Sequence, residues 1–293
     1  MKKARDIATK IIVICLIGIM AVSAWRVYKG FQNYVVARTQ YNETTKLAKV
    51  NSTGEFTGEI EWDKLKSQNS DIRAWVYSKD TIINYPIVRG KDNDYYLYRM
   101  FNGEYNGAGS LFMDANAPDN FEAFNTVVYG HHMKDRSMLA SIDEYKSQDY
   151  YDKHKRLELI TPDAKYHLEV VGFFETMATS EIYKYSFGGA GDKQAFIDFI
   201  ASNNTIRGVP SVTTGDRIVT FSTCVFATGE ERYVLVTKLV PWSDKELAAA
   251  KKEAKLALEL KSASDSGKNS EDRNNLGFIA CVKRGFYILK SAL

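Results

Sequence analysis

Residues 217 to 240 read RIVTFSTCVFATGEERYVLVTKLV. Two runs rich in Val, Ile, Thr, Phe and Tyr, Arg217 to Thr223 and Arg232 to Val240, flank a loop rich in Gly and Glu. That composition belongs to two strands and their connection. If the strands pair as a hairpin, Cys224, at the end of the first, and Arg232, at the start of the second, share one end of the sheet.

Upstream, the same pattern of short strands and turn signals continues. Ala74 to Tyr77 and Thr81 to Val88 read as strands, the second crossed by Pro86, which predicts an edge or a bend. Asp92 can cap a short helix through Tyr98. Gly109 to Met113 and Thr126 to Tyr129 are apolar strands. Lys155 to Thr161 and Lys165 to Phe174 form a hairpin around Pro162-Asp163. Asp192 to Ser202 is a helix with Phe196, Ile197, Phe199 and Ile200 on one side. Ile60 to Gln68 is a short amphipathic helix carrying Ile60, Trp62 and Leu65. Many short strands with few helices between them predict a mainly β fold, a closed or nearly closed β-barrel with helical insertions.

Composition sets the outer limits. The 293 residues suffice for one catalytic domain with a full core plus extra segments. A hydrophobic share of 45% and a charged share of 26% are ordinary for a globular chain. The 18 Tyr and 15 Phe favour strands. A net charge of +3 is too small to argue for a nucleic-acid partner, and part of it sits on Lys2, Lys3, Arg5 and Lys10. The three cysteines are scattered, without metal-ligand spacing or a disulfide framework.

The N-terminus decides the compartment. Ile11 to Trp25 is uncharged over 15 residues, between the basic flank and Arg26. With Lys10 and Arg26 snorkelling, it reaches the ~17 residues needed to cross a bilayer. The basic flank keeps the N-terminus cytoplasmic and places the remainder outside, as a single-pass membrane protein with an extracytoplasmic domain. A cleaved signal peptide is the rival, since Ala21-Val22-Ser23 resembles a cleavage site. Either way Cys224 is an unpaired cysteine in the centre of an exported protein, where structural cysteines come in pairs.

The expected organisation is a basic flank and membrane segment over residues 1–27, then a stalk or leading helix over 28–59 without a clear core face. The folded domain spans 60–242. Residues 243–293 hold an Ala/Glu/Lys/Leu helix (Lys245 to Lys261), a polar linker and an apolar tail from Leu276. With Lys283, Arg284 and Lys290 beside Phe286, Ile288 and Leu289, that tail could dock on the domain or lie on the membrane surface. Its Cys281 leaves open a disulfide with Cys224 that would block catalysis.

A lone cysteine is more often a small core residue than a nucleophile. His131, at the end of Val127-Val128-Tyr129-Gly130-His131, changes that balance. A thiol with an ordinary pKa near ~8.5 is only a few per cent thiolate at neutral pH and needs a basic or cationic neighbour. Histidine supplies one and can later protonate a leaving amine. His132 follows directly, but successive strand residues face opposite ways, so the two are not expected to serve one centre. Nor do they and Cys224 leave an obvious fourth zinc ligand. His154 suits a helix surface and His167 a strand, with no partner evident for either. Arg232 can stabilise an oxyanion or hold a peptide backbone.

These residues resemble the sortases, and among them class B. The resemblance is carried by TFSTC (Thr220 to Cys224), Arg232 opening the last strand, and YGHHM (Tyr129 to Met133). NYPIV (Asn84 to Val88), DNDYYL (Asp92 to Leu97), GSLFMD (Gly109 to Asp114) and the helix-bearing stretch from Phe174 to Val209 extend it over roughly Ile60 to Trp242. It implies a sortase-type barrel with Cys224 as nucleophile, His131 as general acid/base and Arg232 as the oxyanion or substrate-positioning arginine. It also implies a motif-binding groove lined by Asn93, Leu97, Ser222, Thr223, Ile182 and Tyr183. The implied reaction is transpeptidation. The thiolate attacks a Thr carbonyl in a C-terminal sorting motif of a secreted protein, and an amine, usually a cell-wall peptidoglycan precursor, resolves the thioacyl enzyme. No cofactor is expected, and no acidic cluster in the sequence is dense enough to argue for calcium, whose use stays open. His132 stands where many relatives carry Asn, and the tail is longer than the family needs.

Two other readings fit the residues. A cysteine hydrolase would use the same dyad and resolve the acyl enzyme with water. A non-catalytic surface binding module would keep the barrel and groove and be indifferent to Cys224→Ala.

Overall fold

The strand-forming runs between Ile72 and Pro241, on both sides of the Cys224 loop, enter one eight-stranded closed barrel, and two short strands before them form a sheet of their own. The computed structural model describes residues 2–50, 56–225 and 229–265. It separates into two units: one holds residues up to Phe56 together with Ile60–Pro241, the other Thr57–Glu59 and the chain from Trp242.

A long helix, α1 (Lys2–Thr45), is followed by short strands β1 (Ala48–Val50) and β2 (Phe56–Ile60) and helix α2 (Trp62–Gln68). The barrel is built from β3 (Ile72–Tyr77), β4 (Asn84–Val88), β5 (Leu111–Met113), β6 (Asn125–Tyr129), β7 (Arg156–Ile160), β8 (Lys165–Met177), β9 (Ile218–Cys224) and β10 (Glu231–Pro241). Around the barrel the order is β10-β8-β7-β3-β4-β5-β6-β9. Two neighbouring pairs are parallel, β4 with β5 and β6 with β9. Parallel neighbours require crossover connections, so long segments must leave and re-enter at the barrel ends. A 3-10 turn, Tyr95–Tyr98, lies in the first crossover. The second carries a 3-10 segment Ala140–Lys146, helix α3 (Gln148–Lys153), β7, β8, a 3-10 turn Glu181–Tyr183 and helix α4 (Ala190–Asn203).

The expected hairpins are present. β7 and β8 pair antiparallel across the turn, with Ile160 opposite Lys165, and Thr161 N–H donates to Ala164 O at 2.9 Å. Along β9 and β10, alternation divides the side chains between two apolar layers. Val219, Phe221, Tyr233 and Leu235 join the barrel interior with Val76, Phe173 and Leu159. Ile218, Val234 and Val236 face outward, into a second cluster with Phe174, Ile182 and the α4 residues Phe196 and Ile200. β9 is buried on both faces as far as Thr223: of its outward residues, Ile218 packs in the outer cluster, while the polar Thr220 and Ser222 are covered through hydrogen bonds to Asn125 and Tyr183.

The structure departs from the expectations at several points. Pro86 lies in an interior strand, not at an edge. The β4–β5 ladder covers only Ile87 and Val88, so Pro86 falls outside it on that side. The amphipathic helix begins at Trp62, since Ile60 ends β2. Residues 28–45 are not a faceless stalk, because α1 runs unbroken to Thr45 and buries Ala37, Tyr41 and Thr44. Their i, i+4, i+7 spacing is helical, but two of the three are small or polar, so hydrophobic periodicity does not reveal the face. The N-cap position of the Tyr95–Tyr98 turn is Asp94 rather than Asp92, but Asp92 Oδ1 still accepts from the Asp94 and Tyr95 amides at the start of the turn.

The N-terminal part of α1 is long and apolar enough to cross a membrane, and Ile11 to Met20 are outward-facing in this chain. That helix is consistent with membrane anchoring or with a signal sequence. In the second unit, α5 (Asp244–Asp265) opens with a capping box, Ser243 and Glu246 exchanging side-chain to backbone hydrogen bonds. The linker beyond residue 265, the apolar tail and Cys281 with its possible disulfide lie outside the described residues.

Candidate active site

Three neighbouring strands deliver the sulfur, imidazole and guanidinium to one end of the barrel. In the β9–β10 ladder, Cys224 is the direct Cα partner of Arg232. In the parallel β6–β9 ladder, Tyr129 is the partner of Ser222. Gly130 N–H then donates to Ser222 O at 3.1 Å, which carries the pairing one residue past the ladder. His131 and Cys224 each lie two residues beyond that Tyr129–Ser222 pair. Equal spacing on parallel neighbours puts both at the same end and on the same face. That face is the outer one, shared with Ser222 and Val234, not the packed interior.

His131 is half-buried, and its Nε2 lies 2.6 Å from the Leu97 carbonyl oxygen. A carbonyl only accepts, so this bond assigns the proton to Nε2 and leaves Nδ1 as the basic nitrogen of the neutral ring. Burial lowers the His131 pKa below its ordinary 6.5, partly opposed by the Leu97 hydrogen bond. The ring of Tyr98 lies 5.6 Å away. Among the described residues, no hydrogen bond joins His131 to Cys224 directly. Such contacts commonly tighten only when substrate arrives.

Arg232 Nη1 donates to Gly229 O at 2.8 Å and to Glu231 O at 2.9 Å. These bonds pin the guanidinium over the end of the hairpin beside Cys224. Tyr183 stands across the same face, its hydroxyl 2.9 Å from Ser222 Oγ. Its pKa is raised, first by burial and also by Cys224, while Ser222 and Arg232 pull it down, so it lies within electrostatic reach of both. Tyr129 stacks on Tyr183 with centroids 6.1 Å apart and donates to Asp114 Oδ2 at 2.8 Å.

The remaining candidates distribute unevenly. Asn93 Oδ1 accepts from the Ala115 amide at 2.8 Å. Leu97 is half-buried and touches the site through its carbonyl. Ser222 and Tyr183 face it directly. Ile182 is fully buried, with its side chain in the outer apolar layer and its carbonyl bonded to Asn125 Nδ2. Thr223 sits on the opposite face from Cys224, paired with Tyr233 and buried on the barrel side. Strand alternation dictates this: a residue next to Cys224 cannot share its face. Only the backbone of Ile182 or Thr223 could meet a ligand on the outer side.

His132 behaves as alternation requires. Its Nε2 is 3.0 Å from Asp143 Oδ2, and Arg136 holds the same carboxylate through both oxygens. Burial would raise the Asp143 pKa, but the Arg136 and His132 hydrogen bonds prevail and hold it low. His154 stacks on Tyr150 at 4.1 Å. His167, for which the sequence suggested no partner, lies 2.8 Å from Glu158 Oε2. Among the described residues, no three His, Cys, Asp or Glu side chains gather where they could hold a metal ion.

Sequence reasoning overlooked Asn125. It is fully buried at the start of β6, and all its polar atoms are used. Nδ2 donates to Ile182 O at 2.9 Å and Lys184 O at 3.0 Å, and Oδ1 accepts from Thr220 Oγ1 at 2.9 Å. One Asn thus ties the Tyr183 segment to the barrel wall. The only available signal was a polar residue opening an otherwise apolar run.

Known proteins share this architecture. Residues 79–240 match the model of the sortase domain family. The chain is 30% identical over 233 residues to sortase B of Staphylococcus aureus, covering 78% of this chain and 96% of that protein. A structure of sortase B from B. anthracis in complex with AAEK1 superposes with a TM-score of 0.64 at 34% identity, over 72% of this chain and all of that one (100%). A Staphylococcus aureus sortase B–substrate complex superposes with a TM-score of 0.63 at 30% identity, over 70% and 97%.

Proposed function

Because the chain belongs to the sortase family and is a sortase B-type cysteine transpeptidase, we propose that Cys224, His131 and Arg232 carry its reaction on the outer face of a cell membrane. The observation that carries this reading is the register. Cys224 and Arg232 are directly opposed, and His131 lies two residues past the Tyr129–Ser222 pair that ends the adjoining parallel ladder, the same spacing as Cys224.

The substrate is the C-terminal sorting motif of a secreted protein, lying along the face lined by Leu97, Tyr183 and Ser222. Neutral His131 accepts the Cys224 proton at Nδ1 as Sγ adds to the carbonyl carbon of a Thr residue. Arg232 donates to the resulting oxyanion, the charge that develops only in the transition state. Imidazolium then protonates the departing amine, the C–N bond breaks, and a thioacyl enzyme remains. An incoming amine from a cell-wall precursor gives its proton to His131 and attacks the thioester. Collapse of that second intermediate forms the new amide and returns the thiolate, which regains its proton from His131. α1 anchors the enzyme beside both partners, where secreted chains and wall precursors emerge.

The test is intact-mass measurement of the chain incubated with a pooled library of Pro- and Thr-containing sorting-motif peptides, before and after adding a glycine-type amine. An adduct on Cys224 that passes into an amine-linked product supports the reading and names the motif. An adduct that decays only to the free acid supports a hydrolase instead. Full activity of Cys224→Ala would remove the reading altogether.

A further inference from the structure

Tyr41, on the last turns of α1, reaches the neighbourhood of His131 along two separate routes. It is only 6% exposed, and nothing in the reaction above uses it.

Its first route runs through the hydroxyl, which donates to Gly109 O at 2.5 Å and lies 3.2 Å from Ser110 Oγ. Gly109 has φ +59°, and a Cβ built there would fall 2.4 Å from the Leu97 carbonyl oxygen and 2.9 Å from that of Tyr96. Next to it, Ser110 N–H donates to Tyr96 O at 3.1 Å and Ser110 Oγ to Arg99 O at 2.8 Å. The Gly109–Ser110 backbone is therefore laid directly on the turn whose Leu97 carbonyl holds His131 Nε2. A second bond from the same loop, Asn106 Nδ2 to Asn33 O at 3.0 Å, grips α1 two turns earlier.

The other route is through the ring, which meets Tyr85 edge-on with centroids 5.3 Å apart. Tyr85 Oη accepts the Met138 N–H at 3.1 Å. Met138 bridges to His132, and Leu139 N–H donates to His131 O at 3.1 Å. Met138 and Arg136 hold φ values of 58° and 69°, conformations a non-glycine residue keeps only when its surroundings impose them. Burial raises the Tyr41 pKa well above its ordinary value, so the hydroxyl remains a donor across the working range.

We propose that Tyr41 is a positioning residue for His131. Through Gly109 and Leu97 on one side, and Tyr85 and Met138 on the other, it fixes the imidazole in the Nε2–H tautomer with Nδ1 toward the thiol. Full activity then depends on α1 being docked, which links the membrane-proximal helix to the acid–base group. The inference rests on the assignment of His131 as that group.

The experiment uses the full chain in lipid nanodiscs, labelled with 15N-histidine, as wild type, Tyr41→Phe, Tyr85→Phe, His131→Ala and the exposed-face control Asn42→Ala. Peptide cleavage gives kcat and KM, and the imidazole 15N signals, assigned by their loss in His131→Ala, report the tautomer. Tyr41→Phe is expected to lower kcat about fivefold, the rate equivalent of one net hydrogen bond, with KM little changed. Its His131 signals should move from a single Nε2–H pattern toward a tautomer mixture, while Asn42→Ala changes neither. Should Tyr41→Phe not fold, Tyr85→Phe, which removes only the acceptor of Met138 N–H, carries the same expectation. Unmoved His131 signals overturn the proposal, whether or not kcat falls. A fully active His131→Ala overturns the assignment beneath it, whereas an inactive His131→Ala beside a wild-type-like Tyr41→Phe overturns the positioning role alone.

Discussion

Arg232 faces Cys224 directly across the β9–β10 ladder, so both side chains rise from the same face of the sheet. Directly opposed antiparallel residues have Cβ atoms about 5 Å apart, within reach of one shared reacting centre. Two backbone carbonyls, of Gly229 and Glu231, hold one Arg232 nitrogen in place. Arg232→Ala is expected to lower kcat by roughly 10²–10³-fold, the usual effect of losing an oxyanion donor. Arg232→Lys should recover little, because a single ammonium cannot keep both carbonyls and present a planar donor to substrate. Steady-state cleavage measures this, with alkylation of Cys224 confirming that the thiol remains accessible.

The buried position of His131 has a consequence for pH. Its folded pKa lies below the unfolded value of 6.5 because burial disfavours the cation. Between the folded value and 6.5, the unfolded chain binds more protons than the native one, so stability rises with pH across that window. The penalty is absent above 6.5 and grows as pH falls toward the folded pKa. Urea midpoints measured between about pH 5 and 7 should climb in the wild type and climb less in His131→Gln. The acidic limb of kcat/KM should likewise fall below 6.5, since the proposed reaction begins with neutral imidazole. A limb centred above that value would mean that His131 is not the base.

Much of this could be read from the sequence because it rests on period-two patterns. The Arg217–Val240 run displays two strands and their loop, and hairpin pairing alone brings Cys224 opposite Arg232. His131 needed only the end of one more apolar strand. Orientation was less visible. Thr223 and Ile182 lie within the right segments, but alternation and burial turn their side chains away. Long-range polar ties were hidden for a different reason. Asn125 bonds to residues 57 and 59 positions later, and Tyr41 to one 68 positions later, distances over which no local pattern reports. The docked face of α1 was obscured by its small and polar members, Ala37 and Thr44.

Gly109 is the tightest point of the loop that presents Leu97. Its φ is +59°, and a Cβ added to it would lie 2.4 Å from the Leu97 oxygen, which leaves no room for a side chain. Gly109→Ala must strain the backbone or push the Leu97 carbonyl away from His131. A destabilisation of about 2 kcal/mol or more is expected. The loss of kcat should exceed what the folded fraction explains. Chemical denaturation and active-site titration together separate the two effects; an Ala variant as stable and active as wild type would show that the turn relaxes freely.

Asn125 offers a test of how the groove wall is held. The Tyr183 segment crosses the outer face of the barrel and meets it through Ile182 packing and the two carbonyls that Asn125 binds. Asn125→Ala leaves the Ile182 and Lys184 carbonyls and the Thr220 hydroxyl without their partner in a buried setting. Unsatisfied buried groups of this kind cost roughly 1–3 kcal/mol each, softened where the segment can lift to meet water. Lifting would carry Tyr183 away from Ser222 and widen the face on which the sorting motif is proposed to lie. Asn125→Ala is therefore expected to lower the unfolding midpoint by an amount equivalent to about 3 kcal/mol and to raise KM for the peptide more than it lowers kcat. Asn125→Asp should be worse, since a carboxylate would face two carbonyl oxygens without a hydrogen to offer. A stable Asn125→Ala with unchanged KM would mean that apolar packing of Ile182 and Phe187 against α4 holds the wall, and that the polar tie is dispensable.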